Sequence, residues 1–312
     1  MAFTLQIKWD AARSEKRGFL KKKRSENGTK HSASGTLDIL SLAKACGFRY
    51  GSDDEFYILR EGEQNNATAV FYRPDRIGRG IFVDGHKAEE GFLEISYNIP
   101  TTRAEIADFA RLAKEIEQRL GEVRMYCVEE ECYFTGKELE EGIDDFAAFS
   151  LRSLNQFCGN KEYESFILTL ALWPYVIPED KVALWENCTD LADFEETIHC
   201  LQAQDVYYAK PQLFRNNATK KIGAFYALTE ECTSVFPVRA DGFLNMDEIE
   251  VNEGFVRFVI YSEQRALDGM FPYEAFMEAL PQYGIQQFDA SHVLIPPLSK
   301  EELESLAEQL RG

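Results

Sequence analysis

No stretch of this sequence approaches the roughly eighteen uncharged apolar residues that a membrane-spanning helix needs. The longest apolar run, Phe166 to Ile177, covers about twelve residues and contains Pro174, which suits a buried strand. Basic residues are also in short supply. Against 53 Asp and Glu there are 34 Lys and Arg in 312 residues, a formal charge of −19. That balance argues against a general nucleic-acid binder, because neutralising phosphates takes Lys and Arg in excess. In the opening MAFTLQIKWD, Lys8 and Asp10 interrupt any apolar core, so a secretory signal is not expected.

Metal-binding spacings are missing as well. The four histidines, His31, His86, His199 and His292, form neither His-x-His nor His-Glu-x-x-His. Cys127 and Cys132 have no second pair at finger spacing. There is no P-loop, no Gly-x-Gly-x-x-Gly and no Gly-x-Ser-x-Gly. The acidic turn Asp241–Glu248 lacks the alternating ligands of a calcium loop. The sequence therefore points to no catalytic residue, no metal and no cofactor. Seven cysteines, an odd and scattered set, read as reduced thiols. The expectation is a soluble cytoplasmic protein.

What is present builds cores. Hydrophobic residues make up 45% of the chain and aromatics 13%, and the length is near that at which one core divides into two. Residues 3–7 alternate as a half-buried strand does. Residues 37–46 have helical spacing and stop at Gly47. Short strands are predicted over 56–60, 67–73, 80–84 and 92–98. The clearest helix opens with a capping box, Thr102 to Glu105, and carries an apolar stripe from Ile106 to Leu120 before Gly121. A hairpin over 123–134 leads to a helix starting near Lys137.

The second half repeats this order. A constant offset links Gly91-Phe92 to Gly254-Phe255, Gly121 to Gly284 and Lys137-Glu138 to Lys300-Glu301. Ser299 to Glu302 forms another capping box. The pattern is what a tandem duplication leaves; the alternative is two unrelated halves with a common strand–helix order. We expect an α+β fold with mainly antiparallel sheets, in two halves, 1–158 and 159–312.

Two positive features stand against the acidic background. The first is the loop Arg73 to Gly80, where Arg73, Arg76 and Arg79 with two glycines suit a grip on phosphate or carboxylate. The second is the basic run over 13–24, including Lys21, Lys22, Lys23 and Arg24. Residues 1–35 hold nine basic and three acidic residues, net +6, which leaves −25 for the remainder. The acid runs Glu129-Glu130-Glu131 and Glu140-Glu141 read as solvated faces.

The pattern FLEISYNIPTTRAEIADFARLAKEIEQRLG, followed by TGKELEEG, resembles uncharacterised bacterial cytoplasmic domain-of-unknown-function proteins. The unit is also similar to that in immunity-type and other protein-binding modules. The resemblance, over about residues 50–157, implies a bacterial cytoplasmic setting and no transferable site. The reading that follows is a non-catalytic protein-interaction module whose partner is a protein with a basic face. One alternative is an enzyme or small-anion binder using Arg73, Arg76 and Arg79. Another is an adaptor contacting RNA through residues 13–24, the only route to nucleic acid. No membrane partner is expected.

Overall fold

Strand β1 (Ala2–Lys8) turns the alternation of the sequence into the middle of a sheet. Phe3, Leu5 and Ile7 are buried, while Thr4 and Gln6 lie on the opposite, partly open face. The computed structural model describes residues 1–10, 37–53, 57–63, 67–121, 123–217, 219–242 and 251–312. The basic run with Lys21, Lys22, Lys23 and Arg24 lies outside the described residues, as does most of the acidic turn after Asp241.

The chain divides into two compact units, Met1–Pro174 with Asp180–Ala203, and Tyr175–Glu179 with Gln204–Gly312. In the first, helix α1 (Ile39–Cys46) is capped by Asp38 and leaves through Gly47 in the left-handed region, φ 71°. Strands β2 (Arg49–Asp53), β3 (Leu59–Glu61), β4 (Thr68–Tyr72), β5 (Ile81–Asp84) and β6 (Phe92–Asn98) follow. Helix α2 (Arg103–Leu120), strands β7 (Arg124–Cys127) and β8 (Cys132–Phe134), and helices α3 (Gly136–Glu141) and α4 (Ile143–Cys158) come next. The eight strands form one sheet in the order β3-β2-β4-β5-β6-β1-β7-β8, and the registered pairs are antiparallel throughout.

One face of this sheet packs on the helices. Leu5, Ile7, Leu93, Ile95 and Phe71 meet Leu42 of α1, Phe109, Leu112 and Ile116 of α2, and Leu139 of α3 in a single core. Strand β9 (Ile167–Thr169) follows, and β10 (Pro174–Val176) falls where the units divide. Helices α5 (Glu179–Glu186) and α6 (Ala192–Gln202) belong mainly to the first unit, although the sequence expectation puts everything after 158 in the second half. The reason is local bonding. Asn155 Nδ2 of α4 donates to the carbonyls of Trp185 and Cys188, and Gln202 Nε2 donates to those of Ile77 and Gly78.

The second unit contains β11 (Tyr207–Tyr208), β12 (Gln212–Arg215), β13 (Ile222–Thr229), β14 (Ser234–Pro237), β15 (Glu253–Ile260), β16 (Arg265–Ala266), β17 (Phe271–Pro272), β18 (Gln286–Gln287) and β19 (His292–Ile295). One sheet runs β12-β13-β15-β16, with β17 also on β15, and another runs β11-β14-β19-β18. Helices α7 (Tyr273–Ala279) and α8 (Lys300–Arg311) close a core around Phe236, Phe258 and Phe276. The fold is α+β with mainly antiparallel sheets; the parallel pairs are β13 with β15 and β11 with β14.

The strand–helix–hairpin–helix order of 92–141 returns over 253–311 only with β16 and β17 inserted between the strand and the first helix, and Gly121 and Gly284 both leave helical turns with positive φ. The sheet partners differ, however. β6 lies antiparallel between β5 and β1, whereas β15 runs parallel to β13. The element order is shared only in part, and the topology is not shared.

All seven cysteines are free thiols. Burial pushes the Cys127 thiol up to about 11 and that of Cys158 up to about 12, while Cys200 is exposed. Alkylation by iodoacetamide at pH 8 should therefore reach Cys200 first and leave Cys127 and Cys158 unmodified until denaturant is added. Peptide mass spectrometry reads this out, and early modification of Cys158 would contradict the packing described.

Candidate functional site

The Arg73–Gly80 loop enters β5 against the start of α2, and its three arginines part company there. Arg73 Nε donates to Asp75 Oδ1 at 3.0 Å, and its Nη1 lies 3.7 Å from Asp108. Arg76 is exposed, with no ion pair among the described residues. Arg79 turns inward. Its Nε donates to the Thr169 carbonyl at 2.9 Å and its Nη1 to the Pro100 carbonyl at 3.0 Å. Burial lowers its pKa to about 10, against the pull of nearby Glu105. The trio predicted from sequence is therefore not assembled around one outside ligand.

What holds this loop is Glu105, the third residue of α2. Its carboxylate accepts from the Arg79 N–H at 3.0 Å, the Gly80 N–H at 2.6 Å and the Thr101 hydroxyl. Thr102 caps α2 by accepting from the Glu105 N–H, but the reciprocal half of the expected capping box is absent. Two loop N–H groups and a hydroxyl take the carboxylate instead. The approach depends on Gly78, where a Cβ would lie 2.6 Å from Glu105 Oε1. Ser150 of α4 completes the node, accepting from the Thr101 N–H and donating to its carbonyl. This is a satisfied buried network, and its groups face one another rather than a cleft.

In the second unit Tyr208, Asp289 and His292 form a triad of catalytic residue types. His292 Nδ1 lies 2.8 Å from Asp289 Oδ1, and its Nε2 lies 3.0 Å from Tyr208 Oη. All three are buried, and desolvation holds the Tyr208 hydroxyl well above its ordinary pKa. Ser291 Oγ approaches the same Nδ1 that faces Asp289. A serine nucleophile would need the other ring nitrogen. Asp289 also accepts from the N–H groups of Val176 and Ser291. The arrangement ties strands and loop together.

A true concavity opens in the first unit, where the start of β1 meets β8 and α4. Phe3, Tyr97, Phe134 and Phe146 form its floor, with Phe3 stacked on Tyr97 at 5.4 Å and Phe146 edge-on to Phe3 at 5.1 Å. Phe149 and Ile99 stand on its walls, and the cavity holds about 390 Å³. Its lining also includes four carboxylates, Glu129, Glu130, Glu138 and Asp145, against one guanidinium, Arg152.

Two of the acids have partners. Glu129 accepts from the Thr4 N–H, and Glu138 closes a capping box on Thr135. That backbone bond draws the Glu138 pKa below the usual carboxylate range. Glu130 and Asp145 are exposed and make no ion pair among the described residues. The size and the apolar floor with a few polar groups are those of a small-ligand or side-chain pocket. The arrangement can hold a cation with an apolar body, through ring faces beneath and carboxylates at the lip.

The model of one family, described as Domain of unknown function (DUF4299), matches residues 17–306. The chain belongs to this family. No curated protein and no solved structure matches the chain. The matched span includes Phe134, Phe146, Phe149 and the Arg73–Gly80 loop, and the family description assigns none of them a role. No helix among the described residues is long and apolar enough to cross a membrane. The described residues also contain no cluster of three or more His, Cys, Asp or Glu able to hold a metal ion.

The pocket escapes sequence reading for a definite reason. Glu130 and Asp145 look like any other exposed acids, and Phe134 and Phe146 like ordinary core residues. The available signal is that Phe149 lies four residues after Asp145 and three after Phe146 on one helix, which makes it the surface neighbour of both.

Proposed function

We propose that the protein is a non-catalytic interaction module that holds a partner protein by a basic face. The reading rests on the acid-rimmed aromatic pocket, whose rim acids Glu130 and Asp145 form no ion pair among the described residues. The formal charge of −19 adds a long-range field of the same sign. Such a field speeds encounter with a basic surface, and desolvated aromatics then supply residence time.

The test is zero-length carbodiimide cross-linking in a native extract, which joins carboxylates to lysines in direct contact. We expect a partner whose lysine-bearing peptides join to Glu130 or Asp145. The yield should fall about tenfold or more between roughly 0.05 and 0.5 M salt, as screening shortens the Debye length. Cross-links confined to other carboxylates, or a yield indifferent to salt, would overturn the reading.

A further inference from the structure

We infer that the pocket between β1, β8 and α4 takes the side chain of a single arginine from the partner. This rests on the proposed reading of the pocket as a partner site and adds the chemistry of its occupant. An arginine has an apolar stem that fits the floor of Phe3, Phe134 and Phe146, and a flat cationic head that lies well on aromatic faces. At the lip, Glu130 and Asp145 are the carboxylates with neither a side-chain hydrogen bond nor an ion pair among the described residues, whereas Glu129 and Glu138 accept hydrogen bonds. A guanidinium presents five donors in a fork that two carboxylates can share, whereas an ammonium is a strongly hydrated point charge. The rim already contains one such packing. The Arg152 guanidinium carbon lies 5.8 Å from the centroid of Phe149.

Competing occupants fit less well. A carboxylate or phosphate would enter against Glu129, Glu130, Glu138 and Asp145, with Arg152 the one basic side chain in the lining and the Met1 amino group beside it. A purely apolar side chain would match the floor but would strip water from the rim acids without compensation. Charge complementarity therefore selects a cation, and the rings select one with a flat head and a long stem.

The experiment uses the full chain and three capped pentapeptides, Gly-Gly-X-Gly-Gly, where X is arginine, lysine or citrulline. Citrulline matches arginine in shape and lacks its charge. Titration is followed by NMR at the Gly142 amide and at the rings of Phe134, Phe146 and Phe149. The arginine peptide should give saturable shifts at these positions. The lysine peptide should bind several-fold more weakly and the citrulline peptide about tenfold more weakly or not at all. The double variant Glu130→Gln with Asp145→Asn should reduce arginine affinity about tenfold; both positions are exposed, so the fold is retained.

Equal binding of arginine and citrulline, or shifts outside the pocket only, would overturn the arginine inference. So would stronger binding of the lysine peptide. None of these outcomes removes a salt-sensitive partner cross-linked at Glu130, so the broader reading survives separately. Conversely, arginine binding with no such cross-link would sink the partner reading and leave the pocket chemistry standing.

Discussion

Replacing Glu105 by alanine should destabilise the first unit by about 3–5 kcal/mol, the cost of breaking a buried charged network at one member. The substitution leaves the Arg79 and Gly80 N–H groups and the Thr101 hydroxyl without their acceptor. It also leaves the Arg79 guanidinium buried with only the carbonyls of Pro100 and Thr169. At about 2–4 °C per kcal/mol for a domain of this size, the transition should fall by about 6–20 °C. The three tryptophans, Trp9, Trp173 and Trp185, all belong to that unit, so their emission follows its unfolding. A shift under about 2 °C would mean that the network contributes little.

The same residue predicts a pH effect. Burial raises the folded pKa of Glu105 above its ordinary value of 4.5, partly countered by the Thr101, Gly80 and Arg79 hydrogen bonds. A carboxyl with a raised folded pKa binds more protons in the native state than in the unfolded one. Its contribution to stability therefore declines as pH rises from 4.5 through the folded pKa. Glu105→Gln cannot ionise, so the wild-type advantage over this variant should shrink as pH rises through that window. An advantage that grows instead would show a depressed pKa and contradict the burial argument.

Phe258→Ala should cost the second unit about 3–5 kcal/mol through lost burial and the cavity it leaves. Phe258 sits on β15, fully buried, with Phe271 stacked at 5.0 Å and Phe276 at 5.9 Å. Both aromatic contacts disappear with the ring, each about 0.5–1.5 kcal/mol beyond area alone. Phe258→Leu keeps most of the volume and should lose clearly less. Urea unfolding followed by circular dichroism separates the two. Equal midpoints for the alanine and leucine variants would place the core elsewhere.

Several elements can be read from the chain without its fold. The alternation Phe3-Thr4-Leu5-Gln6-Ile7 produces β1, and strand β6 begins and ends at the predicted residues, 92 and 98. Gly47 and Gly284 take the left-handed φ that ends a helical turn, and Ser299 with Glu302 makes a full capping box. Each signal is complete within a few residues, so propensity and hydrogen bonding along the chain are enough. Strand β2 and helix α5 are not read at all. The sequence over 49–53 includes Gly51, which weakens a strand signal, and it pairs because β3 and β4 lie on either side. Helix α5 has no clear apolar stripe, and Trp185 is its buried anchor.

The sequence by itself determined an acidic α+β chain with antiparallel strands, most of its helix ends and a family of unknown function. Only the tertiary structure decided what the marked residues do. Arg79 has the sequence context of a ligand-binding finger, yet it turns inward because Thr169, ninety residues away, and Pro100 offer carbonyls to its guanidinium. Glu105 looks like half of a capping box, yet it binds a loop 25 residues earlier in the chain. Glu130 and Asp145 become a pocket rim only because β1, β8 and α4 bring Phe3, Phe134 and Phe146 beneath them. Capping and alternation depend on neighbours in the chain, whereas burial and the partners of a charge depend on residues that only folding brings close.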